Sequence, residues 1–277
     1  MSTKLSVVIL ARNEAGRIRE CIESVRLADE VLVVDDESTD ETVRIAESLG
    51  ARVLKRKMDI EGRHRNWAYG QAKHEWVLSL DADERVSLEL AEEIKALLHN
   101  GAAYELYAIP RRNFIGRRWL RFGGWYPSAQ LKLFQKSVFR WEETTVHPRA
   151  FADRPCGQLR HDLIHFSYRS ERDFIEKLDR HTTLEAQKWL QDGRGMGLGK
   201  ILWRSADRFV RTYLLKQGFR EGRLGFFIAW MAGRYQWVSF QKYVRLKRRV
   251  AVKRPDPARD AGATRDQTGQ AQARAKP

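Results

Sequence analysis

Trp76-Val77-Leu78-Ser79-Leu80-Asp81-Ala82-Asp83-Glu84 is an apolar run that ends in three carboxylates within four residues. A buried strand ending in Asp-x-Asp places rigid oxygen ligands at the carboxyl edge of a sheet, as a hard divalent cation beside a diphosphate requires. The same acids would also suit the start of a helix, where carboxylates complement the dipole and the unpaired amides. The flanking segments decide between these readings.

Upstream, residues 5 to 10 (Leu-Ser-Val-Val-Ile-Leu) form a short β-branched run of the kind that becomes a fully buried strand, followed by the polar Ala11-Arg12-Asn13-Glu14. Over residues 15 to 28, Ile18, Cys21, Ile22 and Val25 recur as one helical face. Glu30-Val31-Leu32-Val33-Val34 is again strand-like and ends in Asp35-Asp36-Glu37-Ser38-Thr39-Asp40. Strand, helix, strand with a polar cluster after each strand is a βαβ unit, whose loops gather at one edge of a parallel sheet. The Ser38–Thr42 stretch reads as a turn and helix cap, with Val43, Ile45, Ala46 and Leu49 on the helix face and Gly50 at its end. Ala51 to Leu54 forms a third strand, and Arg63-His64-Arg65-Asn66-Trp67-Ala68 opens a helix leading into the Asp-x-Asp strand. Acidic strand ends and an arginine-bearing helix start thus converge on one edge, which suits an anionic nucleotide.

Ser6 to Glu14, Val33 to Thr42, Arg65-Asn66 and Leu80 to Glu84, taken in order, resemble the successive signatures of family 2 glycosyltransferases. That resemblance implies an α/β fold of the GT-A type, a Rossmann-like nucleotide-diphospho-sugar domain. Ile109 to Asn113, Gly123 to Pro127, Gln130 to Phe134, Val146-His147 and Leu163 to Tyr168 are similar to the branch that includes lipopolysaccharide core β-glucosyltransferases acting on an inner-core heptose. The resemblance spans roughly residues 4 to 247.

It implies roles for residues of this chain. Asp36 is expected to accept a hydrogen bond from uracil or an equivalent base, while Ala11, Arg12, Asn13, Glu14 and Asp35 line the nucleoside. Arg65 is expected near the base or diphosphate, and Asp81 near the ribose and metal. Asp83 is expected as the direct ligand of Mg²⁺ or Mn²⁺, with Asp81, His147 and His165 as further candidates. Glu84 is either an acid of the next helix or a partner behind the metal ligands. An inverting transfer also needs a base for the acceptor hydroxyl, and Glu143 and Glu142 in the 140–147 segment are the candidates. The family often has an acid after the residue matching His147, whereas this chain has Pro148, so one of these glutamates must substitute or the acceptor chemistry differs. Trp125, Tyr126 and Gln130 fall where the acceptor-side loop should lie, and aromatic faces suit sugar stacking.

The 277 residues suffice for one compact enzyme with a sizeable core. The net charge of +15 is unevenly spread: residues 1 to 199 hold 32 Lys plus Arg against 31 Asp plus Glu, residues 200 to 250 hold 13 against 2, and the remainder 6 against 3. Three segments follow: a catalytic domain over 1–199, a basic aromatic-rich helical extension over 200–250, and a tail over 251–277 expected to be disordered for want of periodic apolar residues. Leu224 to Ala232 is far shorter than the roughly 20 residues needed to span a bilayer. Basic amphipathic helices bearing Trp and Phe fit the surface of an anionic leaflet, which predicts peripheral attachment to the cytoplasmic face. Simple packing on the catalytic core is the alternative, and no nucleic-acid module accompanies the charge. Cys21 and a turn-borne Cys156 show neither metal-ligand nor disulfide spacing, and no signal peptide opens the chain, both pointing to a reducing cytosol.

The expected reaction moves a hexose, glucose as first choice, from a nucleotide-diphosphate sugar to a lipid-linked saccharide. A polyprenyl phosphate acceptor or a non-catalytic nucleotide-sugar or lipid binder are the alternatives. A nucleotidyltransferase is disfavoured because Ala11-Arg12-Asn13-Glu14 is not a glycine-rich phosphate loop.

Overall fold

The structure is a computed structural model that describes residues 3–144, 149–151 and 154–253. His147, Pro148 and the expected disordered tail beyond residue 253 lie outside the described residues.

The chain runs β1 (Leu5–Ala11), α1 (Ile18–Glu23), β2 (Glu30–Asp35), α2 (Thr42–Ser48), β3 (Arg52–Lys55), α3 (Glu61–Gly70), β4 (Trp76–Asp81), β5 (Glu84–Val86), α4 (Leu88–Asn100) and β6 (Leu106–Ile109). It continues through β7 (Arg111–Ile115), β8 (Arg118–Leu120), β9 (Gln130–Gln135), β10 (Arg140–Trp141), β11 (Ala150–Phe151), β12 (Cys156–Gln158) and β13 (Leu163–Tyr168). Helices α5 (Glu171–Gln191), α6 (Leu198–Val210) and α7 (Gly222–Lys253) follow, with a π-helical turn over Arg211–Leu215 and a 3₁₀ turn over Gly218–Glu221 between the last two.

The main sheet has the order β12-β6-β9-β4-β1-β2-β3. Strand β1 lies between β2 and β4 and runs parallel to both, with Leu10 opposite Asp81 and Ala11 opposite Asp35, so the acidic strand ends share one edge. Strand β9 runs antiparallel between β4 and β6. Alternate side chains of the buried strands feed opposite faces, as the two-residue period of a strand dictates. Val7 and Ile9 join Ile18, Cys21, Leu90 and Ile94 on one face, while Val8 joins Leu32, Tyr69, Val77 and Phe134 on the other. Both faces being covered explains why β1, β2 and β4 read as continuous apolar runs.

A second sheet has the order β5-β13-β7-β8 and begins directly after the Asp-x-Asp loop. It pairs His165 with Glu84 on one side and with Asn113 on the other, bringing residues far apart in sequence to the Asp-x-Asp loop. Cys156 begins β12 rather than lying in a turn. Helix α5 packs against the C-terminal helices, its Ala186 and fully buried Trp189 sharing a core with Ile201 and Tyr243.

Candidate active site

Two loops at the carboxyl edge are stitched together. The Asn13 amide donates to Ser38 Oγ (2.8 Å), the Thr39 amide to Asn13 Oδ1 (2.8 Å), and the Glu14 amide to Thr42 Oγ1 (2.8 Å). Asn13 and Glu37 adopt left-handed conformations (φ 53° and 51°), which tighten both turns. Asp36 is buried, accepting from Arg12 Nη1 (2.8 Å) and from the Met58 amide (2.7 Å). Asp35 is fully buried: Oδ2 accepts from the Ser38 amide at 2.9 Å, while Oδ1 has no protein donor. Residues 11 to 14, Asp35 and Asp36 therefore share one rim, and Asp35 Oδ1 is a buried acceptor there.

Asp81 closes strand β4 between two cations, with Arg65 Nη2 at 3.0 Å from Oδ1 and Lys132 Nζ at 3.2 Å from Oδ2. Burial alone would raise its pKa, but Arg65 and Lys132 outweigh that and hold it well below the usual carboxylate range. Lys132 also donates to Glu84 Oε2 (2.6 Å), which in turn accepts from the Asp81 amide (2.9 Å). Burial would strip the Lys132 proton, yet Asp81 and Glu84 reverse that and raise its pKa. Glu84 is fully buried in β5, while α4 begins at Leu88 and is capped by Ser87. Glu84 thus stands behind the Asp-x-Asp loop and is not a helix-start acid.

Asp83 points the other way. Its Oδ2 lies 3.7 Å from His165 Nε2 and 3.5 Å from Arg17 Nη1. Asn113 Nδ2 donates to the Trp125 carbonyl (2.6 Å), which fixes the amide so that Oδ1 faces His165 Nδ1 at 2.7 Å. With Nδ1 donating to that oxygen, Nε2 is the ring atom that faces Asp83, the orientation in which a histidine ligates a metal. Asp83 and His165 therefore fit a divalent cation as a pair. No group of three or more His, Cys, Asp or Glu that could hold a metal occurs among the described residues, and both Asp81 oxygens are engaged by cations.

A cavity of about 290 Å³ opens over this pair, lined by Asp83, His165, Arg111, Trp125, Ser128 and Lys177 among others. Of the expected acceptor-side residues, Trp125 lines it. Tyr126 instead packs edge-on against Trp119, with ring centres 5.4 Å apart, and Gln130 is exposed at the start of β9. Glu142 and Glu143 follow β10 and are not in this lining: Glu143 pairs with Arg63 at 3.1 Å, and Glu142 Oε2 accepts from the Arg149 amide at 3.3 Å.

The sequence pattern assigned no role to Lys132, Asn113, Arg17 or Arg111, although all but Arg17 lie within the stretches that carry the family resemblance. Lys132 carried a usable signal, a charge alternating inward among Leu131, Leu133 and Phe134. Asn113 is marked only by the resemblance carried by the Ile109 to Asn113 stretch.

The family described as Glycosyl transferase family 2 matches residues 6–154. An "Uncharacterized glycosyltransferase" of Rickettsia felis is 43% identical over 240 residues, covering 80% of this chain and 83% of that protein. The "Lipopolysaccharide core biosynthesis glycosyltransferase LpsC" of Rhizobium meliloti is 25% identical over 251 residues, covering 86% and 91%. Among solved structures, residues 1–349 of TarS from S. aureus in complex with UDP match at 18% identity with a TM-score of 0.47, covering 87% of this chain and 89% of that one.

Proposed function

The chain belongs to glycosyl transferase family 2 and is a glycosyltransferase of GT-A type, and from that premise we propose that it moves a hexose, glucose as first choice, from UDP to a lipid-linked saccharide with inversion. A lipopolysaccharide inner-core heptose is the acceptor we favour, a reading supported by the likeness to LpsC. The observation that carries the donor half is the pairing of Asp83 with His165 at the floor of a cleft walled by Trp125.

In this reading Asp36 and Asp35 receive the base and nucleoside, beside the 11–14 loop. Arg65 and Lys132 keep Asp81 ionised for the ribose side. Mg²⁺ or Mn²⁺ held by Asp83 and His165 would supply positive charge to the departing diphosphate. Trp125 offers an aromatic face to the acceptor ring. Glu143, with Glu142 as second choice, is the base this reading assigns from the sequence; both stand outside the lining over Asp83, so the assignment requires an acceptor hydroxyl that reaches the segment after β10. The basic helical extension attaches the enzyme peripherally to the inner face of the cytoplasmic membrane; no helix among the described residues is long and apolar enough to cross one.

The test is a thermal-shift panel of UDP-, GDP-, dTDP- and CMP-sugars with and without Mn²⁺, since a ligand that binds only the native state raises its melting temperature. Metal-dependent stabilisation by UDP-glucose, lost in Asp83→Ala, is the expected result. Equal stabilisation without metal, or preference for another nucleotide, contradicts the donor assignment.

A further inference from the structure

Helices α6 and α7 each satisfy an inner face. Ile201 is fully buried beside Trp189 and Tyr243, and Ile228 and Met231 join Phe174 and Leu224 in another core. Yet both helices also carry apolar residues outward. Leu198, Leu202, Val210 and Leu214 recur in four-residue steps along α6 and its π-helical turn, with Ala206 completing the series, and all are exposed. Trp203 and Leu215 beside them are each 72% exposed. On α7, Phe226, Trp230 and Trp237 form the matching row, with Trp230 at 55%. The two rows flank a groove of about 580 Å³ lined by Leu202, Phe209, Val210, Trp230 and Trp237. A helix that is apolar on both sides needs cover on both sides, and a contiguous exposed apolar surface marks a docking site.

Charge selects the occupant. Residues 200 to 250 hold 13 basic against 2 acidic side chains, and the exposed Lys200, Arg208 and Arg234 stand near the apolar rows. A second copy would bring the same excess charge face to face, which opposes association. Residues 254–277 cannot supply the cover either, because they contain no Val, Ile, Leu, Met, Phe, Tyr or Trp. Exposed Trp and Leu framed by arginine match the acyl boundary and headgroups of an anionic lipid leaflet.

The same segment is fastened to the cleft. Glu221 Oε1 accepts from the Arg121 and Phe122 amides at 2.7 and 3.0 Å, and the Gly123 amide donates to the Lys216 carbonyl at 2.8 Å. Gly124 and Trp125, next in sequence, line the cavity over Asp83. We infer that the α6/α7 seam inserts into an anionic leaflet and thereby sets the Trp125 lip of the cleft at the lipid surface, where a lipid-linked acceptor is presented. This rests on the membrane reading above and adds to it which residues enter the bilayer and which side of the cleft faces it.

The experiment is flotation of the full chain with phosphatidylcholine vesicles, with or without phosphatidylglycerol, alongside hydrogen exchange of the bound protein. Binding is expected only with phosphatidylglycerol, with slowed exchange in 198–215 and 121–125. Leu202→Glu combined with Leu215→Glu should weaken binding by about tenfold or more at unchanged melting temperature, since both side chains are exposed. Binding that survives these changes, with slowed exchange confined to 242–253, overturns the seam and leaves charge-driven attachment standing. Failure to bind any vesicle overturns the attachment itself. A dimer that the same substitutions dissociate would assign the seam to a second copy instead.

Discussion

Lys132 is only 4% exposed, and what makes a charge tolerable there is its pair of acids, Asp81 and Glu84. Removing one partner of a buried ion pair leaves the others uncompensated, which costs about 3–5 kcal/mol. Lys132→Met is therefore expected to lower unfolding stability by about that amount in urea titrations at neutral pH. The substitution also has a pH signature. Asp81 has a depressed pKa in the fold, so its contribution is present above the unfolded carboxylate value and is lost as pH falls toward the folded one. Taking away one of its two cations narrows that gap, so the stability lost on acidification should be smaller, and complete at a higher pH, than in the natural protein. An unchanged acid limb would show that Arg65 alone sets the ionisation of Asp81. At this scale the sequence singled out Asp35, Asp36, Asp83 and His165, because each ends or borders a motif. Lys132 was not legible as an Asp81 partner because its strand meets β4 only through a pairing 51 residues away in sequence. Asn113 was hidden for the same reason, its bond to His165 spanning 52 residues.

Elements were legible where hydrophobic pattern alone dictates them. Strands β1, β2 and β4 read correctly because burial on both faces leaves no choice of residue. Helix α1 is shorter than the expected 15–28 stretch: it ends at Glu23, and Ser24 Oγ bonds the Cys21 carbonyl (2.7 Å) and accepts from the Val86 amide (3.1 Å). A hydroxyl that competes for backbone groups stops the helix where tertiary contact favours it. The second sheet was illegible because its register depends on long-range pairing. Helix α3 carries an equally hidden constraint at Gly62, where an added Cβ would overlap the Glu142 carbonyl oxygen. Gly62→Ala should thus force α3 away from the chain after β10 and cost about 1–3 kcal/mol, as overpacking does, even though alanine favours helix over glycine. A melting temperature equal to or above that of the natural protein would contradict this close approach.

At the scale of the molecule, the uneven charge marked the C-terminal helices but did not reveal how they join the rest. Trp189 of α5 is fully buried under Ile201 and Tyr243, so α5 depends on residues of the basic extension. Ending the chain at residue 199 should therefore expose Trp189, with red-shifted fluorescence and aggregation, whereas ending it at 253 should leave the melting temperature unchanged. A stable truncation at 199 with Trp189 still shielded would show that α5 folds on the catalytic domain alone. The proposed donor site depends above all on Asp83 and His165 acting together toward a divalent cation beside a bound nucleotide. Electron paramagnetic titration of Mn²⁺ in the presence of UDP measures this directly on the natural chain, Asp83→Asn and His165→Ala. The prediction is a single nucleotide-dependent Mn²⁺ site, weakened by about tenfold or more in each variant. Equal Mn²⁺ affinity in all three proteins would contradict it.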